Sequence, residues 1–220
     1  MAAMNIAIIG GTGPAGRGLA IRSAAAGHQV TIGSREADRA QEVAAALLEA
    51  NAPVPGGISG AANEDLAAGA DLIVVATPWD GAVATVSKLR EQLEGRVVVS
   101  MVNALMKEGR EMLPLYPPRG SMAGQIAAAL PGAKVAAAFH HLPAADMEKL
   151  DSGLEADVLV CGDAVEAKEA TVALINSIDG LRGIDAGSLA QASPIEAFTA
   201  VCITMNIKHK AHSTLRIAGL

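Results

Sequence analysis

Short, continuous runs of apolar residues alternate along this chain with longer stretches in which apolar residues recur every three or four positions. Asn5-Ile6-Ala7-Ile8-Ile9 is the first run. It lacks polar alternation and so predicts a strand buried on both faces. Gly10 to Gly16 turns the chain, residues 17–26 predict a helix, and Gly27 predicts its stop. Residues 29–32 predict a second strand. Residues 37–50 predict a second helix, with Ala40, Val43, Ala44 and Leu47 on one face. The Pro- and Gly-rich residues 51–60 predict a loop, and residues 63–68 a short helix. Asp71-Leu72-Ile73-Val74-Val75-Ala76 is the strongest strand signal. A helix over 81–93, a strand over 96–101, a mixed loop through Pro114, Pro117 and Pro118, a helix over 121–130 and a strand over 134–139 follow. Ser121 is placed to cap the last of these helices.

Strands alternating with helices predict a parallel sheet covered on both faces, an α/β fold of the Rossmann-type, doubly wound kind. The pattern changes after Pro143. Residues 144–154 are polar and irregular. Residues 157–162 predict a strand, 164–178 a helix, 181–185 a short strand and 195–209 a final helix. That helix carries Phe198, Val201, Cys202 and Met205 on one face, which reads as core or as subunit interface. Residues 1–143 therefore predict a dinucleotide-binding domain, and residues 144–220 a small C-terminal α/β extension packed against it.

Composition narrows the picture. The 220 residues are 51% hydrophobic and only 2% aromatic, so the core must be aliphatic. The formal net charge is −6, and the basic residues are scattered, with Lys208-His209-Lys210 as the one short cluster. Binding to nucleic acid needs several clustered cations, so that class is excluded. Cys161 and Cys202 lie far apart with no CxxC or Cys/His spacing, which predicts two reduced, buried thiols and no metal. No apolar run approaches the roughly 18 residues of a membrane helix. The N-terminus has no basic n-region. The cytoplasm and small-molecule partners are expected, with Met1 or Met4 as the start.

The chemistry begins at Gly11-Thr12-Gly13-Pro14-Ala15-Gly16, a GxGxxG between a predicted strand and a predicted helix. Gly11 permits the tight turn, Gly13 lets backbone approach a pyrophosphate, and Gly16 allows close helix–strand packing. The helix N-terminus adds free N–H groups and partial positive charge. The next strand ends in Ser34-Arg35, where a carboxylate would hold the ribose of NAD. A hydroxyl and a guanidinium suit a 2′-phosphate instead, so NADP is expected. Arg39, four residues on, shares the helix face of Arg35 and adds charge. The alternative is a solvated Arg35 with Glu36 taking the ribose.

The stretch GGTGPAGRGLAIRSAAAGHQVTIGSR resembles the NADPH-dependent oxidoreductases of coenzyme F420, the 8-hydroxy-5-deazaflavin carrier. The likeness continues in Pro78-Trp79-Asp80-Gly81, Ala138-Phe139-His140-His141-Leu142-Pro143-Ala144, Val160-Cys161-Gly162-Asp163, the segment Gly180 to Gly187, and Arg216-Ile217-Ala218-Gly219-Leu220. It implies reversible hydride transfer between NADP(H) and F420. It implies that Thr12, Gly13, Pro14 and Ala15 bind the phosphates, that Ser34, Arg35 and Arg39 grip the 2′-phosphate, and that Thr77, Pro78, Trp79 and Ala144 flank the nicotinamide. The deazaflavin is implied near Ser100, Met101, Val102, Asn103, His140, His141, Pro143 and Leu220. The chain departs from the family in two places. Ser100 to Leu105 replaces a proline-containing turn, and His141 stands where Asn is common.

No catalytic triad, metal cluster or carboxylate pair stands out, and transfer between two hydride carriers needs none, because the cofactors carry the chemistry. The two rings are expected face to face at about 3–3.5 Å. His140 or His141 is expected to contact the deazaflavin, against the plainer reading of a strand-end pair with one ring packed and one solvated. Trp79 either shields the nicotinamide or packs. The apolar stripe on the final helix makes a homodimer the expected assembly. Two other functions fit the same cleft: an NADPH-dependent flavin or ferric reductase, and an NADPH sensor without turnover.

Overall fold

The computed structural model describes residues 2–51 and 53–220. In chain order the larger elements are β1 (Asn5–Ile9), α1 (Pro14–Ala25), β2 (Gln29–Ser34), α2 (Ala37–Asn51), β3 (Gly57–Ala62), β4 (Leu72–Val75), α3 (Trp79–Lys88) and β5 (Val97–Ser100). They continue with β6 (Leu105–Glu108), β7 (Glu111–Pro114), α4 (Met122–Ala129), β8 (Lys134–Ala137), α5 (Ala144–Met147), β9 (Ala156–Gly162), α6 (Val165–Ser177), β10 (Leu181–Asp185) and α7 (Ala192–His209). Eight strands form one sheet in the order β10-β9-β8-β5-β4-β1-β2-β3. All neighbours in it are parallel except β8 and β9. The expected doubly wound sheet is present, and it runs unbroken past Pro143 because β9 pairs with β8.

Continuous apolar strands arise because both faces are covered. Ile6 and Ile8 of β1 pack with Leu19, Ile32 and Val74 on one face. Ala7 and Ile9 pack with Ile73, Val86 and Ile126 on the other. Each such side chain, fully buried, contributes about 1.5–3 kcal/mol of transfer free energy.

Five local expectations are corrected. The Pro- and Gly-rich stretch contains strand β3. Its Gly60 would put a Cβ 2.2 Å from the Ala40 carbonyl carbon, so glycine is there because α2 presses on the strand. The mixed loop contains the β6–β7 hairpin, turned at Gly109 with φ +57°. Helix α3 spans Trp79–Lys88, starting earlier and ending earlier than the apolar spacing suggested. The short helix after β3 shrinks to a single 3-10 turn, Asn63–Asp65, and the irregular stretch after Pro143 holds the one-turn α5.

β1 lies between β2 and β4, so the chain leaves the carboxyl ends of β1 and β4 in opposite directions. That divergence opens a crevice, the place where such sheets take ligands.

Candidate functional site

A cleft of about 650 Å³ opens at that point. Thr12, Gly13, Pro14 and Ala15 form its floor, Ser34 and Arg35 one rim, and Thr77 and Pro78 the other. The three motif glycines do different work. A Cβ on Gly11 would stand 2.8 Å from the Ile32 Cβ, and one on Gly16 would stand 2.7 Å from the Gly11 Cα, so these two are packing requirements. A Cβ on Gly13 would meet only the Gly10 carbonyl oxygen, at 3.8 Å. Gly13 faces the cleft, and no protein atom needs it small. It is also the N-cap of α1 and supplies no side-chain cap, so the first amides of the helix stay open toward the cleft. Thr77 adds a buried hydroxyl with no protein partner. Open amides, a bare backbone approach and an unpaired hydroxyl fit a pyrophosphate.

On the first rim Arg35 is exposed and Ser34 half-buried, with the Ser34 hydroxyl accepting from the Glu36 N–H at 3.4 Å. Both line the cleft. Arg39 does not: it lies along the neighbouring groove, with its guanidinium 3.5 Å from Glu42. Trp79 is likewise off the cleft, 41% exposed at the start of α3, while its neighbours Pro78 and Asp80 line it. Ala144 lines a separate groove of about 930 Å³ with Pro14 and Arg17, where Arg17 pairs with Glu148 at 2.8 Å.

The residues expected around the deazaflavin gather at the carboxyl ends of β5 and β8. Ser100, Met101 and Val102 are buried, and the Ser100 hydroxyl accepts from the Val102 N–H at 3.4 Å. Asn103 and His140 form a closed pair. Asn103 Nδ2 donates to the His140 carbonyl at 3.3 Å, and Asn103 Oδ1 faces His140 Nδ1 at 3.0 Å. Since that oxygen only accepts, Nδ1 carries the proton and Nε2 is left as a lone pair. Thr199 of α7 also donates to the His140 carbonyl, at 3.1 Å. Phe139, with φ +67°, bends the chain into this arrangement.

His140 and His141 are 4% and 9% exposed, which corrects the reading of one packed and one solvated ring. His140 Nε2 and both ring nitrogens of His141 have no protein partner. The His141 ring meets Phe198 edge-on, with centroids 5.4 Å apart. Burial pushes His140 down to about 3 and His141 down to about 4, so both are neutral near pH 7. Three ring nitrogens are thus buried without a hydrogen-bond partner among the described residues.

Pro143 follows as the N-cap of α5. Leu220 is exposed at the β10 side of the sheet, its carbonyl accepting from Arg182 at 2.6 Å. Arg182 also binds the buried carboxylate of Asp157, at 2.8 and 2.7 Å, and this hydrogen-bonded guanidinium holds Asp157 well below the usual carboxylate range. Leu220 is thus part of a stitched C-terminal strap, not of the histidine cluster. Sequence reasoning missed Asn63, Thr199 and Phe198. Their partners lie 53, 59 and 57 positions away, and no local pattern marks such pairs. Among the described residues no His, Cys, Asp or Glu group is placed to hold a metal, and Cys161 and Cys202 are free and buried. Among the described residues no helix is long and apolar enough to cross a membrane.

Residues 5–104 match the family described as NADP oxidoreductase coenzyme F420-dependent. Over 224 aligned residues the chain is 38% identical to the F420-dependent NADP reductase of Methanocaldococcus jannaschii, covering 99% of both. It is 34% identical to that of Methanothermobacter thermautotrophicus, over 99% of this chain and 96% of the relative. A solved structure from Arthrobacter sp. FB24, described as a candidate F420-dependent NADP reductase, superposes with a TM-score of 0.80 at 29% identity, over 98% of this chain and 100% of that one. By full-length identity and by the fold shared with the solved relative, the chain belongs to the family of F420-dependent NADP reductases.

Proposed function

We propose that this protein catalyses reversible hydride transfer between NADP(H) and coenzyme F420, using the β1–β4 cleft for the nucleotide and the β5–β8 end for the deazaflavin. The observation that carries the reading is the open N-terminus of α1 beside Gly13, with Ser34 and Arg35 on the rim, in a chain that matches F420-dependent NADP reductases along its whole length. When bound, the two coenzymes supply the redox chemistry, with nicotinamide C4 and deazaflavin C5 as the exchanging carbons.

The chain's residues bind, orient and exclude water. The α1 amides and Gly13 hold the pyrophosphate, and Ser34 and Arg35 hold the 2′-phosphate, with Arg39 adding charge from the neighbouring groove. Thr77 and Pro78 border the nicotinamide, with Trp79 and Ala144 further out. Neutral His140, kept in one tautomer by Asn103, offers Nε2 as an acceptor to an N–H or O–H of the deazaflavin edge. His141 lies beside it. Residues 1–143 form the nucleotide-binding part, and residues 144–220 the part that closes the second site. Exposed Phe198, Val201 and Met205 on α7 support a homodimer, and the cytoplasm is the proposed compartment.

The test is a paired assay with NADPH and either oxidised F420 or FMN, following loss of acceptor absorbance. Bleaching of F420 alone is expected. Bleaching of FMN alone assigns a flavin reductase, and NADPH binding without any turnover assigns a sensor.

A further inference from the structure

Asn63 links the start of the glycine turn to the end of β2 beside the nucleotide cleft. It opens the 3-10 turn after β3 and is 8% exposed. Its Oδ1 accepts from the Gly10 N–H at 3.1 Å. The partner is an N–H, so the facing atom must be the amide oxygen, and that fixes Nδ2 on the other side. The same oxygen covers Gly33, where a Cβ would come within 2.4 Å of it. Gly10, at φ +71°, is the last residue before the phosphate turn, and Gly33 directly precedes Ser34. Asn63 also lines the cleft. Among the described residues no protein acceptor takes its Nδ2–H, and the residue borders the cleft.

We infer that Asn63 is a further nucleotide-binding residue: Oδ1 fixes the glycine turn against the end of β2, and Nδ2 donates to a ribose or phosphate oxygen of the dinucleotide between them. The inference rests on reading the cleft as the NADP site. It makes a sharp distinction between the two ends of one amide. In Asn63→Asp the acceptor for Gly10 survives, but an anionic oxygen replaces the donor facing the nucleotide. In Asn63→Ala both ends are lost and no charge is added.

The experiment is a fluorescence titration of NADPH into the wild type and both variants at pH 8, with thermal midpoints recorded alongside. Asn63→Asp is expected to weaken NADPH by at least about tenfold at pH 8, more than Asn63→Ala does. Wild-type affinity in Asn63→Asp overturns the inference. So do equal losses in the two variants that track equal drops in midpoint, the signature of a turn-holding role alone. If Asn63→Asp does not fold, Asn63→Ala decides: an affinity within twofold of wild type overturns the donor, and a severalfold loss with an intact midpoint supports it. A wild type that does not bind NADPH sinks the reading of the cleft itself, and Asn63 with it.

Discussion

Helices α1 and α4 both aim their N-termini at the carboxyl edge of the sheet, and they are finished in opposite ways. At α4 the Ser121 hydroxyl accepts from the Gly124 N–H at 2.9 Å. The buried carboxylate of Glu196, from α7, accepts from the Met122 and Ala123 N–H groups at 2.7 and 2.9 Å. At α1 the N-cap is Gly13, no side chain caps the helix, and its first turn has no acidic residue. A helix N-terminus carries about half a positive charge and a set of unpaired donors. In α4 the chain answers that charge with its own carboxylate and gains a joint between the two halves of the molecule. In α1 it leaves the charge open onto a cleft. Two side chains, Ser121 and Glu196, close the end of α4, and no side chain caps α1.

The strongest way to break this contrast is Gly13→Val. The residue has φ −75° and ψ 163°, which any L residue adopts, and no protein atom but the Gly10 oxygen lies near a Cβ there. NADPH affinity should fall about a hundredfold, ~2.7 kcal/mol, while the urea midpoint stays at the wild-type value. Gly11→Val, beside Ile32, should lower both. If Gly13→Val binds NADPH normally, the open end of α1 is not the phosphate site. Next in size is Arg35→Ala. A charged hydrogen bond contributes about 1.5–3 kcal/mol, so NADPH should weaken by roughly tenfold to a hundredfold with little change for NADH. Equal weakening of both nucleotides in parallel titrations would move the 2′-phosphate grip elsewhere.

The α1 end was legible in the sequence because its requirements concern backbone. Glycines at fixed spacing are printed locally, and so is the change of rim from carboxylate to Ser34-Arg35. The Ser121 cap was legible for the same reason, since its acceptor and donor are three residues apart. Glu196 was not. It sits 74 positions from Met122, and between Ile195 and Ala197 it has no local mark of burial. The histidines were half legible: the sequence grouped them with Ser100 to Asn103, and Asn103 does pair with His140, but Phe198, which meets the His141 ring, and Thr199, which bonds the His140 carbonyl, come from α7. Strand β3 was hidden because its Gly60 answers to helix α2 and not to a turn.

The pH dependence of stability sharpens the comparison from the α4 side. Burial raises the Glu196 carboxyl from its ordinary value of 4.5 to about 7, against the pull of its two N–H donors. Between those values the native chain holds a proton that the unfolded chain has released. This contribution to stability is therefore full below about 4.5 and is lost as pH rises through about 7. In urea unfolding at pH 5 and pH 8, the stability of the wild type relative to Glu196→Gln should fall by on the order of 1–2 kcal/mol as pH rises. The histidines act in the opposite sense. Their lowered values mean that the unfolded chain takes up protons below about 6.5 while the native chain refuses them, so stability falls on the acid side. Comparing the variant with the wild type at each pH cancels that shared slope. A pH difference unchanged in Glu196→Gln would mean that the carboxylate at α4 is ionised throughout and fully served by its amides.

The smallest effect belongs to the other α4 cap. Ser121→Ala leaves the Gly124 N–H without its acceptor but keeps both Glu196 contacts, and an N-cap change of this kind costs about 1 kcal/mol. The same variant should bind NADPH with wild-type affinity, because α4 stands over β5 and β8, two strands from the glycine turn. Stability and nucleotide binding would then separate cleanly between the two helix ends: Gly13→Val moves binding alone, and Ser121→Ala moves stability alone. If Ser121→Ala weakened NADPH as well, α4 would be coupled to the nucleotide cleft, and its carboxylate-filled end would be more than a structural joint.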